Sequence, residues 1–107
     1  MMKMEEEIPP KLSEKEIVSK LANLTGWELG TAKFTGFPAI TKRFKFKNFK
    51  EAISFINKVA ETAENYQHHP EIHLVTWNNV IIEVYTHIVS GLSKWDFELA
   101  ELIDKIK

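Results

Sequence analysis

Apolar residues return at two different periods along this chain, and the switches between periods divide it into elements. Three segments show helical spacing, and each is preceded by residues suited to a helix start. Ser13 with Glu16 forms a capping-box pattern opening a first helix over Ile17, Leu21 and Leu24. Asn48 with Glu51 opens a second, whose apolar positions Phe49, Ala52, Ile53, Ile56, Val59, Ala60 and Ala63 follow the 3.6-residue period. Ser93 with Asp96 opens a third, carrying Leu99, Ala100, Leu102, Ile103 and Ile106.

Between the helices the period falls to two. Ile40, Phe44 and Phe46 alternate with Thr41, Arg43 and Lys45, as a half-buried strand requires. A partner strand is predicted over 27–34, joined through Gly36-Phe37-Pro38. Two more strands are predicted over 72–77 and 80–87, linked by a tight turn at Asn78-Asn79. In the last of these, Val80, Ile82, Val84 and Thr86 share one face, while Ile81, Glu83, Tyr85 and His87 share the other. The pattern predicts an α+β domain of two layers, a four-stranded antiparallel sheet with helices packed on one face. The segment 1–10, acidic and then proline-containing, reads as a flexible tail before a single domain over 11–107.

Charge and composition exclude several function classes. The net charge is -1 with the basic residues dispersed, so there is no cationic stripe for nucleic acid. No apolar run approaches the about 20 residues of a membrane span, and the acidic start lacks a signal-peptide core, so a cytoplasmic location is expected. The absence of cysteine removes disulfides, thiolate nucleophiles and cysteine-ligated zinc.

What remains is a concentration of imidazole. Three of the four histidines, His68, His69 and His73, lie within the stretch ENYQHHPEIH, and His87 follows in a Thr-His pair. Pro70 restricts His69 to extended backbone, which places the pair at a helix-to-strand corner, where functional groups concentrate. His73, taken alone, reads as a surface residue. A metal site is one chemistry open to the others. Adjacent side chains in extended backbone point apart, however, and zinc-type spacings such as HExxH are absent. Proton transfer is the other. An imidazole with a pKa near ~6.5 exchanges protons at neutral pH unaided, and residues that splay apart can both line a pocket larger than an ion.

The residues beyond the histidines suggest a substrate. Residues 12 to 106 resemble the pterin-4a-carbinolamine dehydratase family through Trp27, the strand ITKRFKFKNF, the run VAETAENYQHHPE, the Thr-His pair and GLSKWDFELAELID. The resemblance implies loss of water from a 4a-hydroxytetrahydropterin to give the quinonoid dihydropterin, with no metal and no organic cofactor. It implies catalytic roles for His68, His69 and His87: proton transfer for His68 and His87, without distinguishing acid from base, and chiefly substrate binding for His69. Glu64, Trp27 and Asp96 match positions near the family's pocket, although Asp96 is equally placed to cap the third helix.

The sequence departs from the family pattern at Gln67, Ile88 and Trp95. The segment between HHP and Thr-His is also one residue longer, which a bulge near Thr76 or Trp77 would absorb. The alternative function is a non-catalytic pterin-binding or protein-binding module, of the dimerisation-cofactor or coactivator type. The resemblance further implies a homo-oligomer, with a tetramer favoured over a dimer. Open sheet edges and the apolar residues Val75, Trp77, Ile81, Tyr85, Trp95, Phe97 and Leu99 fit that expectation.

Overall fold

The computed structural model describes residues 7–106. Its elements in chain order are α1 (Glu14–Leu21), β1 (Glu28–Thr31), β2 (Pro38–Lys45), α2 (Phe49–Tyr66), β3 (Glu71–Val75), β4 (Asn79–Val84), a 3₁₀ turn (His87–Val89) and α3 (Lys94–Asp104). The strands form one antiparallel sheet in the order β1-β2-β4-β3, the α+β arrangement predicted from the alternation of periods. Among the described residues no helix is long and apolar enough to cross a membrane.

Cap chemistry sets all three helix starts. Ser13 accepts the Glu16 N–H while Glu16 accepts the Ser13 N–H, and Ser93 and Asp96 reciprocate in the same way. Hydrogen bonding to Ser13, from its backbone first and then its hydroxyl, holds the Glu16 carboxyl below the usual carboxylate range. Asn48 accepts the Glu51 N–H, but Glu51 itself turns to the Lys47 N–H, so this cap has only one of the two reciprocal bonds.

The core lies between the sheet and the helices. Ile40, Val80, Ile82 and Val84 from β2 and β4 meet Ala52, Phe55 and Val59 of α2 and Leu99, Ala100 and Ile103 of α3, all buried. The pairing of β2 with β4 accounts for this layer, because Ile40 opposite Val84 and Lys42 opposite Ile82 set both strands' alternation in phase. The opposite face carries polar residues in register. Glu71, Glu83, Thr41 and Glu28 form a row across all four strands. The connection after β1 folds back toward this face. The Lys33 N–H reaches Glu83, the Phe34 ring lies 5.7 Å from that of His73, and Phe37 lies 5.6 Å from Tyr85.

Several boundaries differ from the sequence expectation. β1 is confined to four residues, with 32–37 taken up by the covering connection. The hairpin between β3 and β4 does not turn at Asn78-Asn79. Thr76 and Trp77 take the left-handed conformation instead, at φ 47° and 55°. The Phe46 N–H donates to the Asn78 carbonyl, the Asn78 side-chain amide donates to the Phe46 carbonyl, and Asn79 pairs with Lys45, so β2 holds Asn78 at the end of the turn and draws Asn79 into β4. The irregularity expected near Thr76 or Trp77 is therefore the turn itself. β4 ends at Val84, and His87 opens the 3₁₀ turn rather than closing a strand. Trp95, Phe97 and Leu99, expected to leave apolar surface, are buried within the chain, because α3 is covered on more than its sheet-facing side. Of the tail expected over 1–10, residues 1–6 lie outside the described residues. Pro9 is buried, and the Leu12 N–H donates to the Leu92 carbonyl at 2.8 Å.

Candidate active site

The helix-to-strand corner at His68 is shaped by a left-handed residue. Gln67 takes φ 64°, its N–H bonds the carbonyls of Ala63 and Glu64, and the His68 N–H reaches back to Ala63. This is the Schellman closure usually made by glycine, and it reverses the chain sharply before Pro70. A glutamine in this region carries strain of about 1–3 kcal/mol, so the surrounding contacts must hold it there.

The strongest of those contacts is a carboxylate. His68 Nε2 lies 2.6 Å from Asp96 Oδ1, with the imidazole nearly buried and Asp96 fully so. Asp96 Oδ2 accepts the Thr86 hydroxyl at 2.9 Å and the Ser93 N–H at 2.9 Å. Thr86 Oγ1 and Ser93 Oγ are themselves 2.7 Å apart, and Ser93 Oγ accepts the Trp95 N–H. A proton order satisfies every bond: the Ser93 hydroxyl donates to Thr86, and the Thr86 hydroxyl donates to Asp96. A buried carboxylate is costly unless donors surround it, and Asp96 has three, at the positive end of α3. With Nε2–H directed at Asp96, a neutral His68 keeps its lone pair on Nδ1, so this contact fixes the tautomer.

The other histidines are held differently. His69 Nε2 lies 2.6 Å from Glu64 Oε1, one turn back on α2, and both side chains are well exposed. His87 is exposed, with its ring 5.3 Å from Phe37. Its place follows from Thr86, which is buried, bonds Asp96, and pairs with Gly91 across an isolated bridge. His68 and the Thr86–His87 step thus depend on the two oxygens of one residue. The Trp95 ring, 5.8 Å from His68, adds an aromatic wall.

The structure does not bring Trp27 to this group. Its indole N–H donates to Asp104 at 3.0 Å, at the far end of α3, about 12 Å along the helix axis from Asp96. Glu64 is present only through His69. Thr86 and Ser93 were not singled out as site residues by the sequence, although the threonine of the Thr-His pair was a visible signal. His73 stands apart, paired with Glu83 at 2.8 Å.

The profile described as pterin 4 alpha carbinolamine dehydratase matches residues 10–106. The chain belongs to that family. A relative in Sulfolobus acidocaldarius that bears the family's name is 39% identical over 97 residues, covering 91% of this chain and 99% of its own. The crystal structure of a transcriptional coactivator/pterin dehydratase from Brucella melitensis superposes with a TM-score of 0.75 at 34% identity, over 88% of this chain and 95% of that one. A pterin dehydratase-like protein identified as a RuBisCO assembly factor in the alpha-carboxysome shares the fold alone, with a TM-score of 0.58 at 20% identity over 74% of this chain and 86% of that one. The pterin dehydratase fold therefore carries more than one kind of role, and the arrangement around Asp96 is what bears on chemistry in this member.

Removing the carboxylate tests that arrangement. Asp96→Ala leaves His68, Thr86 and the Ser93 N–H without their acceptor, and is expected to lower stability by about 1–3 kcal/mol in urea unfolding. In ¹⁵N NMR of the neutral imidazole, His68 is expected as the Nε2–H tautomer in the wild type and as a tautomer mixture in the variant. An unchanged His68 spectrum would show that Asp96 does not orient it.

Proposed function

We propose that this protein removes water from a 4a-hydroxytetrahydropterin to give the quinonoid dihydropterin, with His68 and His87 transferring protons and His69 binding substrate. The observation that carries the reading is a tautomer-fixed imidazole, His68 on the fully buried Asp96, within a chain of the pterin carbinolamine dehydratase family. The reaction needs no redox change. The C4a–O bond breaks as its oxygen gains a proton and leaves as water, while the adjacent ring nitrogen loses a proton and forms the double bond to C4a. Two imidazoles, one donating a proton and one accepting it, serve both transfers. Phe37, half-buried beside the exposed His87, offers apolar surface to a flat heterocycle, and the buried Trp95 backs His68. The exposed His69–Glu64 pair offers a donor and an acceptor to its polar edge. In this reading Asp96 and Trp27 are structural rather than substrate contacts: Asp96 has both oxygens engaged and Trp27 packs in the core.

His68→Ala and His87→Ala are each expected to lower kcat/KM by roughly 10²-fold or more, corrected for the uncatalysed dehydration. His73→Ala is expected to be nearly silent. Wild-type rates in both single variants, with an inactive His73→Ala, would refute the assignment. The reading is also independent of metal. Activity is expected to survive exhaustive chelation, and turnover that ceases with chelation and returns with an added ion would contradict it.

Assembly belongs to the same proposal. β3 is an edge strand, and Val75 and Trp77 at its end are 43% and 61% exposed, an uncovered apolar margin suited to a second copy. A symmetric oligomer, a tetramer in preference to a dimer, is expected by light scattering at micromolar concentration. A fully active monomer would rule it out.

A further inference from the structure

The sheet face away from the helices holds an arrangement that the dehydration does not use. Register places Glu71 of β3 directly opposite Glu83 of β4, with His73 two residues along on the same face. Like charges facing across an antiparallel pair repel, and Glu83 is only 6% exposed, so the repulsion is poorly screened by water. Among the described residues, the ion pair these carboxylates make is with His73, whose Nε2 lies 2.8 Å from Glu83 Oε1. The Lys33 ammonium lies over the Phe34 ring, 5.6 Å from its centroid.

Both carboxylates are held by neutral donors from outside the cluster. The Tyr85 hydroxyl donates to Glu71 Oε2, and the Lys33 N–H donates to both oxygens of Glu83 at 3.3 and 3.2 Å. Such outer hydrogen bonds to carboxylates are the usual support of a metal's ligands. One ligand atom from each of Glu71, His73 and Glu83 lies within 4.8 Å of the others. Ligand atoms around a tetrahedral zinc stand about 3.4 Å apart when each is about 2.0–2.1 Å from the ion, so small side-chain rotations close the cluster on one.

The geometry points to a divalent metal site formed by Glu71, His73 and Glu83, separate from the catalytic histidines and not needed for turnover. Two carboxylates and one imidazole suit zinc, or another borderline divalent ion, over the all-oxygen environment that magnesium and calcium prefer. The ion replaces the His73–Glu83 contact, neutralises the facing glutamates and fastens the edge strand β3 to β4.

The test uses the untagged full chain, stripped with chelator and titrated with Zn²⁺ by calorimetry. One ion per chain with micromolar or tighter affinity is expected, together with a Zn²⁺-dependent rise in Tm of the wild type. His73→Ala and Glu71→Gln, both at partly exposed positions, are each expected to weaken binding by at least roughly tenfold, while His69→Ala leaves it unchanged. Cobalt in place of zinc is expected to give the intense visible bands of a tetrahedral site in wild type and not in His73→Ala. Saturable binding only at millimolar zinc, binding that survives both cluster variants, or binding lost in His69→Ala would each overturn the proposal.

Discussion

A carboxylate with no access to water must be matched by donors, and in this fold the matching of Asp96 determines where the catalytic candidates stand. Its oxygens receive the imidazole of His68 from the α2–β3 corner, the hydroxyl of Thr86 from the segment between β4 and the 3₁₀ turn, and the N–H of Ser93 from the cap of α3. Three segments distant in sequence are thereby fixed to one point. The strained Gln67, the early end of β4 and the placement of His87 all follow from meeting that requirement. The capping box that reads in the sequence as a helix start is also the anchor of the site.

Local chemistry was legible where its consequences are local. The three caps and the alternation in β2 and β4 depend on residues within one or two turns of each other, and they appear in the structure where the sequence placed them. Features that depend on distant partners were not legible. Asn78 and Asn79 carry the signature of a turn, yet pairing with Phe46 and Lys45 outweighs it and moves the left-handed residues to Thr76 and Trp77. The burial of Trp95 and Phe97 likewise depends on what α3 meets, which periodicity does not state. The engagement of both Asp96 oxygens required knowing that residues 68, 86 and 93 converge.

The histidines illustrate a second limit. Their residue type and spacing define proton-transfer capacity without defining a substrate. The pterin enters through family membership, which the match to the family over residues 10–106 establishes. The same fold is shared with a protein identified as an assembly factor, so fold alone does not assign turnover. What favours catalysis here is the site itself: the nearly buried imidazole of His68 on Asp96, and the exposed His87 following the Thr86 that bonds the same carboxylate.

The most direct measurement follows the loss of a chemically generated 4a-hydroxytetrahydropterin by stopped-flow absorbance, with and without the purified chain. The account predicts a dehydration rate that rises in proportion to enzyme concentration, well above the spontaneous reaction and saturable in substrate. Saturable pterin binding with a rate no faster than buffer would contradict it and leave a pterin-binding module without turnover.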